Sequence, residues 1–374
     1  MNGKLLMLAG LAAIVACTKS FSPLPPAEKG AAGTELKDVA KLFSELPLEP
    51  EHLDEVYSAV SGSSSNGYDE EYLMADLVNA PGTGVGAGTK ARLEHRSTIR
   101  DLIEDHFAKT KGGNGSVDAQ AFLDDLAKTG FQIYWPYSED WDGETFPIIT
   151  FDPGYGAETN YGYEMKIDGN GARIIDSVIV DESVAARRPV WVINRNDDSA
   201  FTPLDLISKG CESTKGAASR KLMMKSFQML RNYDSWFGGA SEFFVKCGAV
   251  NGFKASTEAE MRDYSPSVTD FVVVVKRKYV RKTIPFDVIL ISDFTSQLSK
   301  IAFLITEDDG GSVTSWKCSA VVKIKSKSYG FEMDIPYKEK DDIVWRGQLD
   351  ASFFEEEDEV TGRFGDVMVS FALE

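Results

Sequence analysis

The chain has 374 residues, 40 Lys and Arg against 58 Asp and Glu, and a formal net charge of −18. That acid excess excludes a nucleic-acid binder, which needs a basic face, and argues against electrostatic docking on anionic lipid. With 43% hydrophobic and 11% aromatic residues the chain can bury sizeable cores, and its length allows two or three domains.

Near its start the chain carries Lys4 and then the apolar run Leu5–Ala16. This run is too short to cross a bilayer, which takes about 20 residues, but it suits a secretory signal at 1–16. Its end, Ile14-Val15-Ala16-Cys17, resembles the lipobox of bacterial lipoproteins. The resemblance implies cleavage before Cys17, a diacylglyceryl group on its sulfur, and anchoring in the cell envelope, at the outer membrane. Residues 17–34, rich in Pro, Ala and Gly, read as the tether.

Residues 35–130 carry helical periodicity. Thr34 is placed to cap a first helix with Leu36, Val39, Leu42, Phe43 and Leu46 inward, and Pro47 stops it. Pro50 opens a second, ended by Gly62. Tyr68–Asn79 reads as a third and Ile99–Phe107 as a fourth. Ser116 caps a fifth, closed by Gly130. From 131 to 204 the pattern is β-type: Phe131–Trp135, Pro147–Phe151, Tyr163–Ile167, Ile174–Val180 and Pro189–Asn194, with a hairpin signal at Asp168-Gly169-Asn170-Gly171. Residues 205–220 read as a linker. Nine Val-, Ile- and Phe-rich runs between 222 and 373, one of them 270–280, predict an antiparallel β-sandwich over 221–374. The fold class expected is therefore α+β and multi-domain: short helices first, a β-rich middle, and a C-terminal sandwich. Glu355–Glu359 is a charge run suited to a solvated loop.

Little in the chain carries chemistry. Cys211, Cys247 and Cys318 are an odd set after Cys17; Cys247 and Cys318 lie in strand-like runs and read as free, buried thiols, a bond between them being the alternative. His52, His95 and His106 fit no metal or nucleophile motif and read as surface or capping residues. Pro81–Lys90 is Gly-rich but follows a helix and lacks Gly-Lys-Ser/Thr, so it reads as a connection and not a phosphate loop. No cofactor or metal is expected.

The best site candidate is the loop after Phe131–Tyr134, where Trp135, Tyr137 and Trp141 alternate with Glu139, Asp140 and Asp142, with Asp152 close behind. Flat rings beside acids suit a sugar. Two of these acids at the right separation would hydrolyse a glycan, Asp152 or Glu158 serving as the second. The plain alternative is that the rings plug the helix–strand junction and the acids face water. Trp135, ending a strand, is expected in the core; Trp141, between two aspartates, is expected in solvent.

Several segments, Asn66–Tyr72 with Pro81-Gly82, 135–154, Pro189–Arg195, Asp234–Phe237 and 315–332, resemble an uncharacterised lipoprotein family of Gram-negative bacteria. The resemblance implies envelope location and no particular activity. The expected function is a non-catalytic, lipid-anchored envelope protein with a binding or assembly role, its partners the membrane through its lipid and a glycan or another envelope protein. A carboxylate-dependent glycan hydrolase, or glycan-binding protein, is the alternative.

Overall fold

A computed structural model describes residues 34–79, 97–111, 115–196, 220–355 and 359–374. Cys17, the tether before Thr34, the Gly-rich run 81–90, His95, Cys211 and all of the linker but Arg220 lie outside the described residues.

The first unit layers helices on a sheet. Helix α1 (Leu36–Glu45) buries Val39, Ala40 and Phe43 on one side, the i, i+4 stripe that packs a helix. Its cap differs from expectation: Glu35 takes the N-cap position, and the Thr34 hydroxyl donates instead to Asp125 at 2.9 Å. Helix α2 (Pro50–Ser65) opens on Pro50 and runs past Gly62; its Glu49–His52 capping box has the Glu49 N–H donating to His52 Nδ1 at 3.0 Å, so His52 is a capping residue. Helix α4 (Ile99–Lys111) begins where expected; α5 (Gly115–Leu126) begins at Gly115, so Ser116 lies inside the helix and is not its cap.

The expected third helix is a correction. Only α3 (Met74–Asn79) is helical, and Glu71–Leu73 form strand β1. That stretch pairs with β2 (Phe131–Tyr134), Glu71 opposite Tyr134, and the Trp135 N–H donates to the Glu70 carbonyl at 2.8 Å. Ladder bonds to a distant segment outweigh the local helical pattern there.

Strands β3 (Ile148–Phe151), β4 (Thr159–Ile167), β5 (Arg173–Asp181) and β6 (Val190–Arg195) complete a six-stranded sheet in the order β1-β2-β6-β3-β4-β5. All its pairs are antiparallel except β3 with β6. The hairpin at 168–171 is present, with Gly171 at φ 82. One buried cluster joins Phe43, Leu53, Val56 and Leu123 from the helices to Ile133, Trp135, Trp191 and Ile193 from the sheet. Helices and sheet thus share a core across residue 130.

The second unit is the expected sandwich. Strands β7 (Arg220–Met229), β10 (Ile284–Phe294), β15 (Glu359–Phe364) and β16 (Val367–Leu373) form one sheet, ordered β10-β7-β16-β15. The other is β13-β12-β11-β8-β9, with β14 also on β11: β8 (Ser241–Ala249), β9 (Ser267–Val275), β11 (Leu298–Glu307), β12 (Val313–Ile324), β13 (Lys327–Lys338) and β14 (Asp342–Asp350). Phe227, Phe371, Phe243, Val273 and Phe303 from both sheets share the core. Cys247 and Cys318 are free thiols, Cys247 buried as expected and Cys318 only half-buried; burial pushes Cys247 up to about 12. The run expected to continue to residue 280 ends early: β9 stops at Val275, and Arg277–Tyr279 form a 3₁₀ turn.

An apolar plug and several polar contacts dock the units. Trp236 and Phe237, between β7 and β8, are buried against Tyr134, Ile148, Val190 and Val192 on the sheet face away from the helices. Trp236 Nε1 donates to the Glu158 carbonyl at 3.0 Å, and Asn194 Nδ2 donates to the Phe237 and Gly238 carbonyls at 3.0 and 2.8 Å. The Ala240 N–H donates to Asp69 at 2.9 Å; a Cβ on Gly239 (φ 127) would lie 2.7 Å from that carboxylate, so glycine permits the approach. Arg277 grips Glu182 with Nε and Nη2 at 2.8 and 3.1 Å.

Candidate functional site

Strand β2 delivers Trp135 into the core at 1% exposure. The chain then turns sharply. Tyr137 sits at φ 59, a left-handed conformation that costs a residue with a Cβ about 1 kcal/mol or more. Its hydroxyl donates to Glu182 at 3.0 Å, which holds the turn, and burial followed by the Glu182 charge pushes that phenol up to about 12. A 3₁₀ turn over Ser138–Asp140 brings the chain to Trp141.

Trp141 is half-buried, a correction to its expected exposure. Its ring centroid lies 5.2 Å from that of Trp135 and 5.3 Å from that of Tyr57, and its Nε1 donates to the Thr145 carbonyl at 2.9 Å. The flanking aspartates need not be buried with it, because the ring alone leans back onto the core. Asp142 closes its own turn, accepting from the Glu144 and Thr145 N–H groups at 2.9 and 2.7 Å and from the Thr145 hydroxyl. The Thr145 side chain and then the backbone N–H groups hold Asp142 at about 2, so it is ionised.

These residues form one wall of a cleft of about 490 Å³, lined by Trp135, Tyr137, Asp140, Trp141, Asp142 and Thr145. The opposite wall is Ala185–Pro189. It follows the short helix α6 (Glu182–Ala185), which Asp181 caps by accepting from the Val184 N–H. Arg188 is occupied by Glu164 at 2.5 Å. Arg187 is exposed and makes a long contact, 3.4 Å, to the Ser183 hydroxyl.

Two sequence candidates do not line the cleft. Glu139 turns to Lys278 and to the carboxyl group of Glu70. Glu70 is buried and 3.7 Å from Lys278; burial, then the Glu139 carboxylate, pushes it up to about 8. Burial would raise Glu139 too, but its bonds to Glu70 and Lys278 win and hold it at about 2. The proton of this pair therefore rests on Glu70, the more buried partner. Asp152 accepts from the Gly154 N–H at 2.8 Å, and burial raises its pKa against that bond. Five of the seven loop candidates thus converge, and Glu139 and Asp152 do not. Sequence reading missed Arg187, Arg188, Glu70 and Lys278. Only the doublet Arg187-Arg188 beside a strand start offered a signal.

A second acidic group has metal-ligand chemistry: Asp234, Glu242 and Glu307 bring carboxylate oxygens within 4.8 Å of one another. None of the three lines the cleft. Burial raises Asp234, and a hydrogen bond shared with Glu307 opposes the rise. Burial and the charges of Asp234, Asp342, Asp341 and Asp308 push nearby Asp309 up to about 6.

No protein-family model, curated protein or solved structure matches the chain.

Proposed function

We propose that this chain is a non-catalytic, lipid-anchored protein of the bacterial envelope, and that its cleft between 135–145 and 185–189 binds a glycan. The observation that carries the binding reading is the cleft itself: the half-buried Trp141 ring and the exposed Asp140 carboxylate on one wall face the exposed Arg187 guanidinium on the other. A ring face with a few fixed polar groups is how proteins hold sugars.

The carboxylate chemistry argues against hydrolysis. A glycosidase needs one carboxylic acid kept protonated beside one carboxylate. Here Asp142 is held ionised by its own turn, Asp152 is off the lining, and the protonated–ionised pair Glu70–Glu139 is also off the lining, with Glu139 tied to Lys278. The anchor reading rests on Lys4, the apolar run to Ala16 and Cys17. No helix among the described residues is long and apolar enough to cross a membrane, and two acyl chains hold a protein stably without one.

Two experiments test this reading. Cys17→Ser should move the protein from the membrane to the soluble fraction after a salt wash; retention in the membrane contradicts the anchor. Incubation with a polysaccharide panel should give no turnover. Cleavage that disappears in Asp140→Asn would make the protein a hydrolase instead.

A further inference from the structure

Strand β5 (Arg173–Asp181) closes one side of the first unit's sheet and has no strand beyond it among the described residues. It runs for 9 residues, and its register with β4 is unbroken throughout. It contains no proline and no bulge. Arg173 to Ser177 are all exposed. The hairpin it forms with β4 also carries Ile167, Ile174, Ile175 and Ile179 at 69%, 46%, 46% and 70% exposure. Sheets normally blunt their edges with short strands, prolines, bulges or charges, because an open apolar edge pairs with another chain. The opposite edge, β1, is short at 3 residues. On β5 the single central charge is Asp176; its Oδ2 takes Lys166 at 2.6 Å, and its Oδ1 accepts from the Ser177 N–H at 2.8 Å, a local bond that pairing at Ser177 exchanges for a ladder bond.

We infer that β5 pairs antiparallel with β5 of a second copy of this chain, about a two-fold axis at Ser177. The occupant follows from the strand's own sequence, which is self-complementary in that register. With Ser177 opposite Ser177, Ile175 lies opposite Ile179 and Arg173 opposite Asp181. Directly opposed residues share a face, so the exposed isoleucines of one copy cover those of the other.

The charge match has room to form. The Ser183 hydroxyl and the Val184 N–H both donate to Oδ1 of Asp181, so Oδ2 is the oxygen for Arg173 of the partner subunit. Arg173 holds Glu49 through Nη2 at 2.6 Å, which leaves Nη1. On the reverse face Ile174 meets Val180, and Asp176, neutralised by Lys166, meets Val178. The apolar face continues onto β4, whose Tyr161 and Met165 stand opposite Ile179 and Ile175. The product is one continuous sheet made from two six-stranded ones. The inference is independent of what the cleft binds.

Sedimentation velocity of the full chain should show a monomer–dimer equilibrium that shifts with concentration. Ile179→Lys changes an exposed side chain, so its melting temperature should stay near the parent's. It should weaken the dimer about tenfold or more, since each opposed apolar pair occurs twice in a two-fold interface. A Ser177→Cys variant should form a disulfide between copies under mild oxidation, because opposed strand residues lie within disulfide reach. Ile174→Cys should not, and the parent chain controls for its native cysteines. A monomer at every concentration up to about 100 µM, a dimer that Ile179→Lys leaves intact, or equal crosslinking from Ile174→Cys would overturn the inference. So would a monomeric Cys17→Ser chain that floats with phosphatidylcholine vesicles and loses that binding with Ile179→Lys, since lipid would then be the occupant.

Discussion

Trp135 and Trp141 pack edge to face at 5.2 Å, yet they do different jobs. Trp135 is enclosed by Tyr57, Trp141 and Trp191. Its truncation to Ala should cost about 3–5 kcal/mol, as for other fully buried aromatics. Trp141 keeps one face toward the cleft, so Trp141→Ala loses part of a packing surface and one hydrogen bond, about 1–2 kcal/mol. Thermal melts of the two variants decide the matter. Equal large losses would make Trp141 a core residue and remove the ring platform; no loss at all for Trp141→Ala would mean that its contacts with Tyr57 and Trp135 do not persist in solution.

At the scale of elements, the hairpin from β15 to β16 turns on Gly365, at φ 61. A Cβ there would come within 2.3 Å of the Val344 carbonyl oxygen. That atom is backbone and cannot swing aside, so Gly365→Ala combines left-handed strain with a clash and should cost about 2 kcal/mol or more. Gly169, in the turn between β4 and β5, has nothing within 4 Å of its added Cβ and no positive φ; Gly169→Ala should stay within about 0.5 kcal/mol. Denaturant midpoints of the pair measure this, and equal losses would contradict the turn geometry.

The elements that sequence reading finds are those whose pattern is set locally. The buried stripe of α1, the start of α2 at Pro50 and the hairpin at 168–171 are all visible because residues three or four apart, a Pro at a helix start or a Gly in a turn carry the information. Strand β1 is hidden because Tyr72, Leu73 and Leu77 keep helical spacing while their backbone pairs with β2, far along the chain. Strand β15 is hidden by the acids before it and by Gly362. Arg277–Tyr279 read as strand, since only the acids of the other unit make a docking turn of them. For the cleft, one wall is written in the rings and acids of 135–142. The other wall, Ala185–Pro189, joins it only through the fold of the sheet.

At the scale of the whole molecule, burial raises several carboxyls: Glu55, Glu70, Asp152, Asp234, Asp270 and Asp341. A raised carboxyl keeps its proton in the folded state longer than in the unfolded state. Stability is therefore full below the ordinary carboxylate range and falls as pH climbs through the raised value. Glu70 has the clearest window, from its ordinary 4.5 to about 8. Carboxyls held low, such as Glu139 and Asp142, at about 2 each, act only below their ordinary range. The chain should melt higher at about pH 5 than at about pH 8, and Glu70→Gln, which keeps the neutral form, should flatten that decline. A melting temperature that rises between the two pH values would contradict this account of the junction between the units.

That junction, the Trp236–Phe237 plug and the Arg277–Glu182 pair, places Glu182 against Tyr137 and so ties the cleft's floor to the docking of the sandwich. The cleft is the centre of the account, and the measurement that tests it most directly is a glycan array probed side by side with the Cys17→Ser chain and its Trp141→Ala and Arg187→Ala variants. The account predicts at least one glycan bound by the parent and lost by both variants, with the melting temperature of Arg187→Ala unchanged. Absence of binding by the parent, or binding that survives both substitutions, would contradict it.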